Sequence, residues 1–168
     1  QLVAYAWLAM TDLFHTGSQG DLMPTINVEQ TILRRLVESR GREHNVSDMA
    51  FRLPLMGTDI DTCDEEILDI EIFPDRPDLL SAETLFHGMM PFLHDCPPSP
   101  RLAVKPGTIS MRVSPELADI RPVILGAVVR GVEIDEDVIK RLMEHQEKLH
   151  FALGRGRKRA SIGVHDLG

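Results

Sequence analysis

Apolar residues recur at helical spacing or alternate with polar ones in separate segments of the chain, and each segment predicts an element. Before residue 95 the pattern predicts a strand over 25–28, a helix over 29–40, a strand over 66–73 and a helix over 79–93. Ser47 is suited to cap one further short helix, and Pro91 is expected to mark the fraying end of the last one. These elements predict a small α+β domain over residues 23–95.

A proline-rich stretch over residues 96–100 cannot continue a helix, so we expect it to be a linker. Beyond it the pattern predicts a strand over 108–113, a strand within 123–134, a helix from Asp135 to Gly154 and a strand over 160–167. The chain is therefore expected to have mixed α and β structure in two units. The second unit, over residues 101–168, has only 68 residues to bury its apolar strands, which is marginal for independent stability. We expect this second domain to be incomplete.

The first 22 residues differ in pattern from the rest of the chain. Residues 2–10 predict a short helix, and residues 15–21 form a polar, glycine-bearing stretch typical of a turn. Met23-Pro24-Thr25 then has the form of a second beginning. Two interpretations of residues 1–22 stay open: Met23 is the native start, or these residues are a lineage-specific extension.

Composition narrows the class of protein. The 168 residues are 43% hydrophobic and 26% charged, which supports a folded core and excludes a largely disordered chain. The apolar opening is too short to span a bilayer, and no basic residue precedes it as in a secretory signal. Cys63 and Cys96 form neither a disulfide framework nor a CxxC site, which favours a reducing compartment. We therefore expect a cytoplasmic protein that does not enter a membrane.

The net charge of −8 is unevenly distributed along the chain. Residues 141–168 contain six basic and three acidic residues, so this segment carries +3 within an acidic protein. Overall acidity argues against non-specific binding of nucleic acid by the whole surface. A local basic tract still suits contact with a phosphate backbone. The alternative is that the tract is a solvated loop.

The common catalytic motifs GxGxxG, GxxxxGK[ST], HExxH and GxSxG do not occur in the sequence. His87 and His94 are seven residues apart, and His145 and His150 are five apart, so neither pair has the i, i+4 spacing of a helical zinc site. No metal site is predicted. No serine or cysteine is placed against a base, so catalysis would depend on a positioned water rather than on a covalent intermediate.

Two segments suit ligand recognition. Gln146 and His150 share a helical face with Ile139 and Met143, where an amide and an imidazole suit a hydroxyl or carbonyl of a small ligand. A solvated helix flank is the alternative interpretation. Gly154-Arg155-Gly156-Arg157-Lys158-Arg159 combines glycines, which allow close approach of the backbone to a phosphate, with arginines, which supply paired donors.

Two further polar pairs stand next to predicted strands. His165-Asp166 lies at a strand end, a common place for a positioned pair. Asp75-Arg76-Pro77-Asp78 joins a strand to a helix through a turn that its prolines make rigid. We interpret Arg76 and Asp78 as a structural ion pair of this turn rather than as a site.

The chain resembles the N-terminal part of the phenylalanyl-tRNA synthetase β subunit, archaeal/eukaryotic type, over about residues 23–167. Several blocks carry the resemblance in the family's order: Met23-Pro24-Thr25, Asp75 to Ser81, Ile120-Arg121-Pro122 with Ala127 to Val132, Gln146 to His150, and Gly154 to Leu167. The short first domain resembles the archaeal form. One departure is Phe73-Pro74-Asp75-Arg76-Pro77-Asp78, where the family usually has Asn-Pro-Asn-Arg-Pro-Asp; both asparagines are replaced while Arg76 and Asp78 are kept.

The resemblance implies a role in a larger enzyme. A β subunit of this family pairs with a catalytic α subunit in an (αβ)₂ heterotetramer, which attaches phenylalanine to tRNA(Phe) with ATP and Mg²⁺. Its fold is implied to be a small N-terminal α+β domain followed by the truncated start of a mixed α/β editing (B3/B4-like) domain, which in the full subunit hydrolyses tRNA mischarged with tyrosine. No cofactor is expected in the 168 residues themselves.

The same resemblance implies candidate residues. Those of the editing pocket are Gln146, Glu147, His150, Arg157, His165 and Asp166, with Gln146 positioning a ligand or water. Those that contact tRNA are Arg155, Arg157, Lys158 and Arg159. We expect the 168 residues alone to be inactive. The alternatives are a stand-alone, non-catalytic RNA-binding or interaction module and, less favoured, a free-standing deacylase.

Overall fold

The computed structural model of the chain describes residues 2–8, 23–98 and 103–166. The elements in chain order are β1 (Leu2–Leu8), β2 (Thr25–Glu29), α1 (Gln30–Glu38), α2 (Val46–Arg52), β3 (Thr58–Cys63), β4 (Ile67–Ile72), α3 (Ala82–His94), β5 (Val123–Val129), α4 (Glu136–Ala152) and β6 (Ala160–Asp166). The chain divides into two compact units, one of residues 20–101 and one of residues 1–19 with 102–168. The mixed α+β class predicted from the sequence is confirmed.

The unit of residues 20–101 is an antiparallel sheet of order β2-β4-β3 with its core on one face. Alternate residues of β2 and β4 are buried because successive side chains of a strand point to opposite faces. Helices α1, α2 and α3 and the short segments 53–56 and 77–80 contribute the other buried side chains. The strand and helix members of this core are Ile26, Val28, Leu33, Val37, Met49, Leu68, Ile70, Ile72, Ala82, Leu85, Phe86, Met89, Met90 and Leu93.

The helix ends of this unit differ from the sequence prediction at two places. Asn45, not Ser47, caps α2, because its side-chain oxygen accepts a hydrogen bond of 2.9 Å from the amide of Asp48. Helix α3 continues through Pro91 to His94 rather than fraying there. Its end is stabilised by Arg52, whose guanidinium donates to the carbonyls of Leu93 (3.0 Å) and Phe92.

Strand β3 is an element that the sequence pattern did not predict. Most of its residues are exposed or half-buried, and it pairs only with β4 at the edge of the sheet. A register shift between Ile60 and Thr62 further breaks the alternation. An edge strand with polar residues has no clear period-two pattern to read.

The second unit is built on a sheet of order β5-β1-β6, in which β1 is antiparallel to both neighbours. Strands β5 and β6 are therefore parallel to each other and are joined through β1. The predicted helix over residues 2–10 is wrong over its described part, since Leu2–Leu8 pairs along its whole length with both strands. Pairing on both sides overrides local helix propensity. The turn predicted over 15–21 lies outside the described residues.

Elsewhere in this unit the prediction is confirmed for α4 and β6. Asp135 accepts a hydrogen bond of 2.7 Å from the amide of Val138 and so caps α4. The strand predicted within 123–134 ends earlier, at Val129, before Gly131 turns the chain with a φ of 70°. The strand predicted over 108–113 is wrong, since these residues form no ladder with another strand.

Burial differs sharply between the units. Within residues 23–98 and 103–166, every buried hydrophobic side chain lies between Ile26 and Leu93. Between residues 103 and 166, by contrast, only His150 and Gly154 are buried. Large apolar side chains there stay open, with Leu125 62% and Met143 61% exposed. Residues 103–166 therefore form no closed apolar core among themselves.

No helix within residues 2–8, 23–98 and 103–166 combines the length and the hydrophobicity that crossing a membrane requires.

Candidate functional site

The candidate site lies where α4 ends and the chain turns back into β6. His150, in the last turn of α4, is 3% exposed. Its Nε2 lies 2.7 Å from the amide nitrogen of Ile162 in β6. An amide N–H only donates, so Nε2 accepts and the proton of the neutral ring is on Nδ1. Nδ1 then donates to Oε1 of Glu147 over 3.3 Å.

Gly154 makes this close approach of helix and strand possible. A Cβ at this position would lie 2.5 Å from the carbonyl oxygen of Ala160 and 2.6 Å from that of His150. Both obstructing atoms belong to the backbone, so no side-chain rotation can relieve the clash. The sequence therefore requires glycine here for space rather than for a positive φ.

Residues 155–159, which we call the cationic turn, come immediately after Gly154. Arg155, Gly156 and Arg157 have φ values of 47°, 62° and 64°, a left-handed conformation that non-glycine residues rarely adopt. The amides of Gly156 and Arg157 donate to the carbonyl of His150, at 2.9 and 3.3 Å. The helix end thus fixes the turn through the backbone.

Two further amides of the turn are engaged as well. Lys158 donates to the carbonyl of Arg155 (3.4 Å), and Arg159 donates to that of Gly154 (2.8 Å). The sequence suggested that the glycines let the backbone approach a phosphate, but the amides of residues 156–159 already have internal acceptors. An anion at this turn would be bound by side chains.

The charges of the turn fall into two groups. Arg157 pairs with Glu147, and its carbonyl accepts a hydrogen bond of 2.6 Å from Arg121. The hydrogen bonds from His150 and Arg157 lower the pKa of the Glu147 carboxyl. By contrast, Arg155 and Lys158 are exposed and have no ion pair within the described part of the chain. Arg159 is half-buried and has no ion pair there either. Arg155 and Lys158 are therefore the cations best placed for an external anion.

Gln146 stands one helical turn before His150 on the same face of α4. It is half-buried, and within residues 103–166 its amide makes no hydrogen bond. Next to it on this face, Met143 and Ile139 are 61% and 47% exposed. An unpaired amide beside an open apolar surface suits recognition of a ligand that has both apolar and polar parts.

His165 and Asp166 are not part of the cluster around His150. They are exposed at the far end of β6, and each has an interaction partner. His165 is three residues beyond Ile162, which is about 10 Å along a strand. The structure thus brings together Glu147, His150 and Arg157 and separates them from the other predicted pair.

Arg76 and Asp78 form a bidentate pair in the other unit, with Nε to Oδ1 at 3.0 Å and the second nitrogen to Oδ2 at 2.8 Å. The guanidinium also donates to the carbonyl of Met56, and the side-chain stem of Arg76 lies over Gly57. The hydrogen bond from Arg76 lowers the pKa of Asp78. All of these contacts fasten the turn before α3, and none leaves a group for a ligand.

Arg121 and the amide of Ile162 belong to the cluster but were not among the site residues predicted from the sequence. Arg121 lies in the Ile120-Arg121-Pro122 block of the resemblance, which was a usable signal. The Ile162 amide had none, since a backbone donor leaves no trace in the residue type. Within the described ranges no group of three or more His, Cys, Asp or Glu residues is arranged to hold a metal ion.

Comparison with known proteins gives a consistent answer. No protein-family model matches the chain. A phenylalanine–tRNA ligase β subunit of Methanosarcina acetivorans is 49% identical over 116 residues, which are 69% of this chain and 21% of that protein. A β subunit of Methanocorpusculum labreanum is 40% identical over 145 residues, which are 86% of this chain and 26% of that protein. The chain thus spans about a quarter of the length of these curated relatives.

A solved structure is similar as well. It is an N-terminal fragment of the phenylalanyl-tRNA synthetase β subunit from Pyrococcus horikoshii, with a TM-score of 0.66 and 27% identity over 80% of this chain and 39% of that one. The resemblance predicted from the sequence is therefore confirmed, both in sequence and in fold.

Proposed function

We propose that the chain, as an N-terminal part of a phenylalanine–tRNA ligase β subunit, works in the attachment of phenylalanine to tRNA(Phe) in the cytoplasm. In the whole enzyme it would join an α subunit in an (αβ)₂ heterotetramer that uses ATP and Mg²⁺. The observation that supports this proposal is similarity to such β subunits over 86% of the chain. Residues 23–95 would form the first domain and residues from 101 the beginning of the editing domain.

Within that enzyme we assign the face of α4 with Gln146, Met143 and Ile139 to the wall of the editing site. Discrimination of tyrosine from phenylalanine needs a polar partner for the phenolic hydroxyl, because a site built around that bond rejects the analogue that lacks it. The amide of Gln146, which makes no hydrogen bond within residues 103–166, would bind the hydroxyl or the attacking water. The apolar neighbours would contact the aromatic ring.

We expect the 168 residues alone to be inactive. Hydrolysis by a positioned water is efficient where a closed site fixes the water and strengthens its electrostatic interactions. Met143, beside Gln146, is 61% exposed, so this wall is open in the chain as it stands. Purified 168-residue protein should release no tyrosine from Tyr-tRNA(Phe), and turnover above the uncatalysed rate would contradict this expectation.

The editing role is tested with Gln146→Ala in the full-length αβ enzyme. Deacylation of Tyr-tRNA(Phe) should fall at least about 10-fold, the effect of removing one positioned polar group, while aminoacylation with phenylalanine stays unchanged. Glu144→Ala, at an exposed position of the same helix, is the matched control. Equal deacylation by the two variants would remove Gln146 from the site.

The cationic turn provides the second part of the proposal, contact with the tRNA backbone. Arg155 and Lys158 are exposed and unpaired within the described residues, in a segment of charge +3. Removing one phosphate contact should reduce the salt dependence of tRNA binding by about 0.7–0.9 in d log K/d log [salt]. Arg155→Ala and Lys158→Ala test this in the full enzyme, with Lys140→Ala, outside the turn, as the control.

The same cations favour one alternative, a stand-alone RNA-binding module. It predicts that the 168-residue chain is monodisperse, unfolds cooperatively and binds tRNA with a salt dependence that Arg155→Ala and Lys158→Ala reduce. Binding that appears only in the full enzyme would exclude this alternative.

A further inference from the structure

We propose that His150 is a positioning residue, which holds the cationic turn against β6 so that Arg155 and Lys158 face the tRNA backbone. This inference rests on the proposed tRNA contact, and it gives His150 a different role from the ligand-binding one that the sequence suggested. The observation behind it is a buried imidazole whose two nitrogens and whose backbone carbonyl each bind a different group.

The imidazole has no free group for a ligand. Nε2 accepts from the amide of Ile162 at 2.7 Å, and Nδ1 donates to Glu147 at 3.3 Å. The residue is 3% exposed. A general base or a ligand contact needs an accessible nitrogen, so the ring does not take part in the chemistry in this arrangement.

The three attachments of His150 join three segments. Its carbonyl accepts the amides of Gly156 and Arg157 in the turn. Its Nε2 binds the first half of β6 through Ile162, and its Nδ1 orients Glu147. Glu147 in turn pairs with Arg157, so side chain and backbone restrain the same residue.

The conformation of the turn explains why such a support is needed. Arg155 and Arg157 have φ values of 47° and 64°. Residues with a Cβ adopt such values only where the surrounding structure fixes the backbone conformation. If the junction of α4 and β6 loosens, the turn relaxes from this conformation. Arg155 and Lys158 then no longer have fixed directions, although their charge is unchanged.

Two polar substitutions of His150 test the roles of its two ring nitrogens separately. His150→Gln places an amide oxygen near the position of Nε2 and keeps an acceptor for Ile162. His150→Asn is shorter, keeps a donor near Nδ1 for Glu147 and leaves the Ile162 amide without an acceptor. His145→Asn, five residues earlier on the same helix, is the matched control, because Nδ1 of His145 has no hydrogen-bond partner among the residues that the structure describes.

The measurement is the salt dependence of tRNA(Phe) binding by the full-length αβ enzyme, with amide hydrogen exchange of residues 150–162 as the structural readout. We expect His150→Asn to reduce the slope by about 0.7–1.8, which corresponds to one or two fewer phosphate contacts, and to speed exchange in this segment. His150→Gln and His145→Asn should keep both at the wild-type value.

The outcomes separate this inference from the function on which it rests. If Arg155→Ala and Lys158→Ala leave the slope unchanged, the proposed tRNA contact fails. If they reduce it and His150→Asn does not, the contact stands and the positioning role is overturned. If His150→Gln reduces the slope as much as His150→Asn, the acceptor for Ile162 is not what positions the turn, and the inference also fails.

Discussion

Gly154→Ala is expected to destabilise the junction of α4 and β6, although a glycine-to-alanine change where alanine can adopt the native backbone conformation without strain stabilises by about 0.4–1 kcal/mol through the unfolded state. The new Cβ would lie 2.5 Å from the carbonyl oxygen of Ala160, a separation that real Cβ atoms essentially never show. Reaching 3.0 Å from this oxygen requires a shift of at least 0.5 Å, and the carbonyl oxygen of His150, at 2.6 Å, must be cleared as well.

Overpacking of this kind costs typically about 1–3 kcal/mol, and the obstructing atoms are backbone, so we expect the upper part of that range. The shift also pulls His150 away from Ile162, which leaves a donor without its acceptor. Thermal unfolding and amide exchange of residues 150–162 in the 168-residue chain measure the effect.

Gly107→Ala is the matched control, since its new Cβ would meet no atom within 4 Å and the position lies in the same unit. It should leave unfolding unchanged or slightly raise the midpoint. If the Gly154→Ala protein has the same thermal unfolding and amide exchange as the Gly107→Ala protein, the close approach of α4 and β6 is refuted. The geometry of the site depends on that approach.

Three further outcomes concern residues 20–101, each read from urea denaturation of the 168-residue chain by circular dichroism. Arg52→Ala should lower the free energy of unfolding by about 1–3 kcal/mol, because two carbonyls at the end of α3 would no longer have a charged donor; exposed Arg40→Ala is the control, and equal effects would contradict the capping role. Burial, and after it the charge of Arg34, lowers the pKa of His44, so between the lowered pKa and the ordinary value of 6.5 the unfolded chain binds more protons than the folded one. The stability that is present above pH 6.5 is therefore lost as pH falls through the lowered pKa, and His44→Gln should flatten this dependence. The hydrogen bond from Arg76 lowers the pKa of Asp78 from 3.8, so the stability that this pair contributes is present above that value and is lost as pH falls through the lowered pKa. Asp78→Asn should remove this contribution, and an unchanged pH dependence of the free energy of unfolding would argue against the pair.

The elements of residues 20–101 were predictable because their spacing of apolar and polar residues matches one closed core. Alternation in β4 and helical spacing in α1 and α3 reflect side chains that face one apolar interior, so period and structure agree. The exceptions are local. Asn45 and Ser47 are both good cap residues, and only the backbone decides between them. Strand β3 pairs at an edge, where burial imposes no alternation.

The second unit was harder to predict because its sheet is assembled from distant parts of the chain. Strand β1 ends at Leu8 and its partner β5 begins only at Val123, and local propensity carries no information about that pairing. The apolar residues of β5 and α4 gave the right element types but not their burial. Leu125 and Leu153 belong to apolar patterns in the sequence, and both are more than half exposed in the structure.

The site shows the same division between residue type and backbone. Sequence and resemblance identified Glu147, His150 and Arg157, and the structure brings these three together. Their roles are distinguished by two backbone groups, the amide of Ile162 and the carbonyl of His150. Hydrogen bonds of the backbone cannot be predicted from the residue type. A buried histidine on a helix next to a basic loop suits a base, a ligand contact or a support equally well. The acceptor role of Nε2 decides among them, because a nitrogen that already binds the backbone of β6 is not available to a substrate.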